Sequence, residues 1–242
     1  MKLTVIGFRG GYPGPNEATS TYLLEKNNKK VLLDLGSGGL LKLQNYISVT
    51  DIDAVVLSHY HADHIADIGV LQHALLVEAQ LGNVTKKTAI YGHTHNEKKF
   101  NNLNDDYTEG IAYEENDTIN IGPFQITFLK TLHSVPCFGM RITDGEKTIV
   151  YTADTAYQKE WIPFANCADV LITDTNLYDY QKDLDIGHMT STEAATIAQK
   201  ANVKTLILSH LPQYGDNEKL VIEAKKVFKK EVILAKEGLV WK

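Results

Sequence analysis

The sequence has few cysteines and no long hydrophobic run. Cys137 and Cys167 are the only two cysteines among 242 residues, which excludes the dense disulfide framework of a small secreted domain. We expect both thiols to be reduced and buried. Every apolar stretch is shorter than the roughly 18 residues that a membrane-spanning helix needs, and the apolar start of the chain is interrupted at Arg9, too early for a signal peptide. These absences predict a cytoplasmic protein without membrane contact.

An excess of positive charge is also lacking. Lysine and arginine total 24 against 30 aspartates and glutamates, so the formal net charge is −6. A protein with this balance repels polyanions, and composition therefore does not support a nucleic-acid partner. No Pro/Ser/Gly-rich linker interrupts the chain, and 43% of its residues are hydrophobic, enough for one large core. We predict a single domain over residues 1–242.

Short apolar strands alternate with helical patterns along the chain. Nearly continuous apolar strands are predicted over 51–61 and 203–210, each ending in histidine, and helices over 70–81 and 191–201. The Asn/Asp-rich segment 100–110 is the best candidate for an exposed loop. Two halves of similar pattern follow one another, which is typical of an α/β fold whose sheets are covered by helices.

The stretch SHYHADH, residues 58–64, carries four residues of the types that bind divalent metal ions. His59, His61 and Asp63 share parity, so an extended segment would direct them to one side. Asp63 and His64 could face a common ion only if the chain turns there. Imidazole and carboxylate ligands suit zinc, iron or manganese, so we interpret the stretch as part of a metal site.

The alternative is a surface loop that is rich in histidine by chance. His93 and His95 in YGHTH show that such pairs occur without an assignable role. Four ligand-type residues directly after a buried strand nevertheless favour the metal site.

Three further ligand-type residues follow predicted strands. His133 follows FQITFLKTL, Asp154 follows KTIVYTA and His210 follows KTLILS, at the strand ends where α/β folds gather functional residues. Each by itself is equally well explained as an ordinary hydrogen-bonding residue. Together they supply what two ions still need.

These motifs resemble those of the metallo-β-lactamase superfamily. SHYHADH resembles its H-x-H-x-D-H signature, and Asp34 in LLDLGSG, His133, Asp154 in YTADT and His210 in LILSH follow in the family's order. The resemblance extends from residue 3 to nearly residue 240. It implies an α/β fold, a four-layer αββα sandwich with a two-metal site.

The resemblance also implies a role for each motif residue. One ion would be bound by His59, His61 and His133, the other by Asp63, His64 and His210, with Asp154 bridging them; zinc is the expected metal, and manganese and iron are alternatives. Asp34 would orient ligands rather than bind metal. Asp174 follows a buried strand and is a second candidate for that role, with an ordinary strand-end carboxylate as the alternative.

Two divalent ions activate water for hydrolysis, and Asp63 is placed among the catalytic residues as well as the ligands. The segment GHMTSTEAATIA, residues 187–198, resembles the G-H-[ST] segment of ribonuclease Z and its phosphodiesterase relatives. By that resemblance His188 would donate a proton to a leaving alkoxide, and Thr190 and Ser191 would hold a phosphate at a helix N-terminus. The alternative is that Thr190 or Ser191 only caps the helix and His188 packs beside it.

Two departures narrow the prediction. The class B β-lactamases have cysteine where Asp154 stands, so antibiotic hydrolysis is not expected. Ribonuclease Z carries a tRNA-binding arm, yet His133 and Asp154 are separated mostly by one predicted hairpin, so the resemblance is to ribonuclease Z-like hydrolases without the arm. tRNA binding is therefore doubtful.

We accordingly predict a phosphodiesterase that acts on a small or single-stranded phosphodiester with a metal-bridging hydroxide. Carboxyl-ester, thiolester or lactone hydrolysis on the same metal site is the alternative. A non-catalytic metal- or RNA-binding module is a further alternative, although such proteins typically lose ligands and every ligand position is filled here. Homodimers are common among relatives, but no residue establishes one.

Overall fold

The computed structural model describes residues 1–184 and 186–242. Contacts divide the chain into two compact units, Met1–Glu114 with Ile121–Pro123 and Lys236–Lys242, and Glu115–Asn120 with Phe124–Ala235. A seven-stranded sheet forms within each half of the fold. The single domain over residues 1–242 stays a prediction. Within the described part of the chain, no helix combines the length and apolarity needed to cross a membrane.

The first sheet begins with an antiparallel meander and continues with parallel strands, in the order β14-β1-β2-β3-β4-β5-β6. Its elements in chain order are β1 (Lys2–Gly7), β2 (Thr21–Lys26), β3 (Lys29–Leu33), α1 (Gly39–Leu43), β4 (Ala54–Val56), α2 (Ala62–Ile65), α3 (Ile68–Gln80), β5 (Thr88–His93), α4 (Glu97–Asn101), β6 (Thr108–Tyr113) and β14 (Val240–Trp241).

The core of this unit lies between the sheet and helices α1 and α3. Leu40 and Leu43 of α1 and Leu71 and Leu75 of α3 are buried in one cluster with strand residues such as Val55. Burying each such side chain contributes about 1.5–3 kcal/mol. This packing holds β4 in the middle of the parallel strands, so the segment that leaves β4 starts from a fixed position.

The second sheet repeats the pattern in the order β13-β12-β11-β10-β9-β8-β7, with β10 to β13 parallel. Its elements are β7 (Thr118–Ile121), β8 (Phe124–Lys130), β9 (Phe138–Thr143), β10 (Thr148–Tyr151), α5 (Trp161–Phe164), β11 (Val170–Asp174), α6 (Ser191–Lys200), β12 (Thr205–Ser209), α7 (Glu218–Val227) and β13 (Glu231–Leu234). Every residue of β11 and β12 is buried, as expected for central parallel strands. The similar halves predicted from the sequence are therefore present as two sheets of similar pattern.

Two predictions of local structure need correction. The strand predicted over 51–61 is paired only at Ala54–Val56, because the chain leaves the ladder after Leu57, whose carbonyl accepts the Tyr113 hydroxyl at 2.6 Å. The predicted loop 100–110 runs into β6 and contains Leu103, which is buried against the core.

The cysteine prediction is half wrong. Cys137 is buried as expected, but Cys167 is exposed. Cys167 has a left-handed backbone with φ of 54° in the turn between α5 and β11, where its side chain is directed away from the core.

Candidate metal centre

The histidine-rich segment of the first unit turns directly after β4. Residues 57–61 are irregular, and α2 then begins at Ala62, so that Asp63 and His64 lie within a short helix and are buried. The turn that these two residues require is present. The parity argument is wrong for Asp63, because strand alternation ends before the helix begins.

Asp34 orients His64. The Asp34 carboxylate lies 2.7 Å from His64 Nδ1 and accepts hydrogen bonds from the Ser58 amide at 2.7 Å and the Ser58 hydroxyl at 2.8 Å. Asp34 is fully buried and has a left-handed backbone with φ of 56°. Such a conformation costs about 1 kcal/mol or more and is found at functional sites. The sharp turn after β3 therefore brings a carboxylate under the histidine cluster.

The remaining side chains of this cluster are close to one another. The ring centroid of His59 lies 4.8 Å from that of His61 and 4.1 Å from that of His64. Ser58 Oγ lies 3.0 Å from His59 Nδ1, and Asp63 Oδ2 lies 3.5 Å from His64 Nε2. The Gly11 amide donates to Asp63 Oδ2 at 2.6 Å. The segment that follows β4 and the helix α2 thus bring four ligand-type side chains close together.

In the second unit, Asp154 lies between two histidines. Its Oδ2 is 3.7 Å from His133 Nε2 and its Oδ1 is 3.2 Å from His210 Nε2. Each carboxylate oxygen therefore lies near a histidine that the resemblance assigns to a different ion. The pKa of His133 is lowered by burial, although the nearby Asp154 carboxylate opposes this effect. A neutral imidazole is the form that binds metal.

Asp174 contacts two histidines, His188 and His210. Its Oδ2 lies 2.7 Å from His188 Nδ1 and its Oδ1 lies 3.4 Å from His210 Nδ1. Burial acts to raise the pKa of Asp174, but the two imidazoles outweigh it and the pKa is lowered. Burial acts to lower the pKa of His188, but the Asp174 carboxylate outweighs it and the pKa is raised. The pair therefore favours a carboxylate beside an imidazolium.

The orientation of four imidazoles fits metal binding. Nδ1 lies beside a protein oxygen in each: Ser58 Oγ for His59, Asp34 for His64, the Gly187 carbonyl at 3.1 Å for His133, and Asp174 for His210. Such contacts set the tautomer in which Nε2 is the ligand atom. With the carboxylates of Asp63 and Asp154, the donor set suits zinc and similar divalent ions. The residues of each unit therefore fit the metal ligands that the resemblance implies.

Thr190 and Ser191 are engaged in contacts at the N-terminus of α6. Both are buried; Thr190 caps α6 by accepting the Glu193 amide, while Glu193 accepts the Thr190 amide at 2.9 Å. Ser191 Oγ donates to Glu223 at 2.7 Å. Carboxylates surround this helix N-terminus, so capping accounts for the contacts of both side chains, and the phosphate contacts stay a prediction.

His93 packs against an aromatic ring, and His95 lies near a carboxylate. His93 is buried with its ring 4.4 Å from Tyr60, whose hydroxyl donates to the His93 carbonyl at 2.6 Å. His95 Nε2 lies 3.6 Å from Glu114. Among the described residues, neither histidine belongs to a group of three or more metal-ligand side chains.

The sequence interpretation missed three supporting groups: the Ser58 hydroxyl, the Gly11 amide and the Gly187 carbonyl. Gly187 has φ of 77°, and a Cβ there would lie 2.9 Å from His133 Nδ1. The glycine in GHMTS was the only available signal of such a close approach, since two of the three groups are backbone atoms that residue type does not reveal.

Comparison with known proteins identifies the family. A family model described as "Beta-lactamase superfamily domain" matches residues 30–211. "Probable metallo-hydrolase YhfI" of Bacillus subtilis is 50% identical over 242 residues, which cover 100% of this chain and 99% of that protein. The crystal structure of YhfI, described as a metallo-β-lactamase fold protein, has a TM-score of 0.98 at 49% identity, covering 99% of this chain and 98% of YhfI.

More distant relatives include ribonucleases Z. That of Methanopyrus kandleri is 26% identical over 278 residues, with 99% of this chain and 96% of that protein covered. The short form of human tRNase Z has a TM-score of 0.78 at 21% identity, covering 100% of this chain and 99% of that one, which shows the fold alone. The predicted α/β metallo-β-lactamase fold is confirmed, and the chain belongs to the β-lactamase superfamily as a ribonuclease Z-like metal-dependent hydrolase.

Proposed function

We propose that this chain is a phosphodiesterase for small or single-stranded phosphodiesters. The observation that carries the proposal is the Asp174–His188 pair, in which a buried carboxylate lies 2.7 Å from Nδ1 of an imidazole. The ring of His188 is 5.2 Å from that of His210 and 5.3 Å from that of His133, centroid to centroid. A proton donor therefore lies beside two proposed ligands.

The pair suits protonation of a leaving oxygen. Asp174 lies against Nδ1 and its carboxylate raises the pKa of His188, which leaves Nε2 as the nitrogen that can deliver a proton to the substrate. Cleaving an alkyl phosphodiester releases an alkoxide, which is a poor leaving group unless an acid protonates it as the bond breaks. His188 is the catalytic residue that we assign to this proton transfer, and Asp174 positions it.

We propose two divalent ions as cofactors, zinc first, with manganese and iron as alternatives. The proposed ligands are His59, His61, Asp63 and His64 in the first unit and His133, Asp154 and His210 in the second, with Asp63 also serving catalysis. When bound, such ions lower the pKa of water toward neutrality and neutralise charge on phosphoryl oxygens. Asp34, Ser58 and Gly187 orient the imidazoles through Nδ1.

The short connection between two of the proposed ligands supports a small substrate. Between His133 and Asp154 the chain forms a short connection and the β9–β10 hairpin, whose strands pair from Thr143↔Thr148 to Met140↔Tyr151. The hairpin uses most of this connection, so no residues are left for an inserted arm like the one that binds tRNA in ribonuclease Z. We therefore propose that a tRNA precursor is not the substrate.

The test measures metal content and turnover in one preparation. The purified protein should contain about two metal equivalents and hydrolyse bis-p-nitrophenyl phosphate. Asp154→Ala should abolish turnover while the circular dichroism spectrum is unchanged, whereas Asp183→Ala, an exposed aspartate of the same unit, should retain activity.

Other substrates in the same assay decide between the alternatives. Hydrolysis of carboxyl esters, thiolesters or lactones without phosphodiester hydrolysis in zinc, manganese or iron would overturn the proposal in favour of acyl chemistry. Metal binding without turnover of any substrate would favour a binding module, and cleavage of a tRNA precursor would contradict the proposed size limit.

A further inference from the structure

Asn176 connects the Asp174 carboxylate to the backbone of His210. The Asn176 backbone amide donates to Asp174 Oδ1 at 3.2 Å, and the side-chain Nδ2 donates to the His210 carbonyl at 3.0 Å. A carbonyl oxygen can only accept, so the nitrogen rather than the oxygen of the Asn176 side chain must face it. Asn176 is neither a proposed metal ligand nor a member of the Asp174–His188 pair, yet it contacts a residue of each.

The backbone of His210 has a conformation that needs support. Strand β12 ends at Ser209, and His210 follows it with a left-handed φ of 50°. A residue with a Cβ is disfavoured there, because the Cβ approaches the following carbonyl oxygen. Such a conformation persists only where the surroundings hold it. The hydrogen bond from Asn176 to the His210 carbonyl is a direct restraint on this turn.

The turn decides where the imidazole of His210 lies. In an extended continuation of β12 the side chain would project from one face of the sheet, since strand side chains alternate between the two faces. In the left-handed turn, Nδ1 instead lies 3.4 Å from Asp174 Oδ1 and Nε2 lies 3.2 Å from Asp154 Oδ1. The backbone conformation at one residue therefore places both ring nitrogens against carboxylates.

The Asp174 carboxylate is held at both of its oxygens. Oδ1 accepts from the Asn176 amide and faces His210, whereas Oδ2 accepts from the Thr155 amide at 3.0 Å and faces His188. Asn176 therefore acts on the two partners of one contact, because its backbone orients the carboxylate oxygen and its side chain holds the backbone that carries the imidazole.

We propose that Asn176 is a positioning residue for His210. It keeps the imidazole of His210 with Nδ1 against Asp174, which fixes Nε2 as the nitrogen presented to a metal ion. This inference rests on the proposed metal ligands and does not depend on which ester the protein hydrolyses.

Metal affinity provides the first test. Asn176→Ala should lower the affinity about tenfold, measured by titration against a competing chelator. Asn176→Asp keeps the shape of the side chain but places an oxygen against the His210 carbonyl, so it should lower the affinity at least as much, and it serves as the second variant if Asn176→Ala does not fold. Wild-type affinity in the folded Asn176 variants would overturn the proposal.

Asn217→Ala is the matched control. Asn217 Nδ2 also donates to a backbone carbonyl of the segment that follows β12, that of Pro212 at 3.3 Å, two residues beyond His210. This variant should keep the wild-type metal affinity, because its contact does not restrain the His210 turn. An equal loss of affinity in Asn217→Ala would show that loosening of this segment is responsible, and would contradict a specific role for Asn176.

The metal-free protein provides a readout that does not depend on turnover. With ¹⁵N-labelled histidine at alkaline pH, nuclear magnetic resonance reports which imidazole nitrogen carries the proton. His210 should carry it on Nδ1 in the wild-type protein and in Asn217→Ala, whereas Asn176→Ala should show a mixture of the two tautomers. An unchanged single tautomer in Asn176→Ala would overturn the assignment.

Failure of this proposal is distinguishable from failure of the proposed function. If the wild-type protein binds metal but hydrolyses no phosphodiester, the function is wrong, and the affinities of the Asn176 variants still decide the role of Asn176. If the wild-type protein binds no metal, the proposed ligands are wrong, and the tautomer of His210 still decides whether Asn176 orients its imidazole.

Discussion

The Asp174 carboxylate and the His188 imidazole form a buried pair with Oδ2 2.7 Å from Nδ1. The other oxygen of Asp174 lies 3.4 Å from Nδ1 of His210. One strand-end carboxylate therefore orients both the proposed proton donor and a proposed metal ligand, so the two imidazoles are positioned by a single side chain at the end of β11.

The first prediction concerns the leaving group. His188→Ala should lower kcat about 10²- to 10⁴-fold for a methyl or other alkyl phosphodiester, whose leaving oxygen needs a proton. The loss should be much smaller for bis-p-nitrophenyl phosphate, because p-nitrophenolate leaves without protonation. Steady-state kinetics on both substrates check this.

His73→Ala is the control for the first prediction, since His73 is an exposed histidine on α3. It should leave both rates unchanged. Equal losses on both substrates in His188→Ala would mean that His188 has a structural role only.

The second prediction concerns Gly187, whose carbonyl faces His133. In Gly187→Ala a Cβ would lie 2.9 Å from His133 Nδ1 at φ of 77°, so the imidazole must move and metal affinity should fall about tenfold or more. Titration with a competing chelator measures the affinity.

Gly145→Ala is the control for the cost of placing alanine in a left-handed backbone. Gly145 has φ of 85°, but no atom lies within 4 Å of its added Cβ. Both variants should lose about 1–2 kcal/mol of unfolding free energy from the left-handed conformation, yet only Gly187→Ala should lose metal. Equal metal affinity in the two variants would contradict the proposed contact.

The third prediction concerns Asp34. Asn tolerates a left-handed backbone, so Asp34→Asn retains the turn at φ of 56° while removing the charge. The new amide cannot accept all three hydrogen bonds from Ser58 and His64, so metal affinity should fall about 10- to 100-fold. Metal content after dialysis against a chelator measures this loss.

Asp53→Asn offers a comparison for the Asp34 prediction. Asp53 accepts hydrogen bonds from Lys29 at 2.6 Å and the Lys30 amide at 2.9 Å in the same unit, away from the histidine cluster. This variant should retain its metal. Full metal retention in Asp34→Asn would show that Asp34 does not control the imidazole of His64.

The fourth prediction concerns the N-terminus of α6. Thr190→Ala should reduce the free energy of unfolding by about 1 kcal/mol through loss of the cap, and Thr190→Ser should restore most of it. Neither variant should change KM for a phosphodiester, because Thr190 is 2% exposed and bonded to Glu193. Denaturant unfolding and kinetics check the two parts, and a raised KM in both variants would revive the phosphate site.

Residue type and position along the chain were sufficient to predict the candidate metal ligands. Strand ends are where α/β folds gather functional side chains, so His133, Asp154 and His210 were identifiable as candidates without a structure. The α/β pattern was equally clear, because buried parallel strands such as β11 and β12 are apolar throughout.

Short elements and turns could not be predicted in the same way. Helix α2 has only four residues, Ala62–Ile65, too few for a helical period, so the sequence indicated only that a turn is needed at Asp63 and His64, not that a helix supplies it. Strand β6 was hidden in an Asn/Asp-rich segment because its pairing with β5 is a long-range contact.

The sequence by itself determined the chemistry of this protein: which side chains can bind metal, their order along the chain and the family to which they belong. Only the tertiary structure decided how those side chains are used. Asp34, Gly187 and Asp174 select the nitrogen that His64, His133 and His210 present. Glu223, 32 positions from Ser191, occupies the hydroxyl that a phosphate would need. Such contacts join residues distant in sequence, so they depend on packing rather than on local pattern.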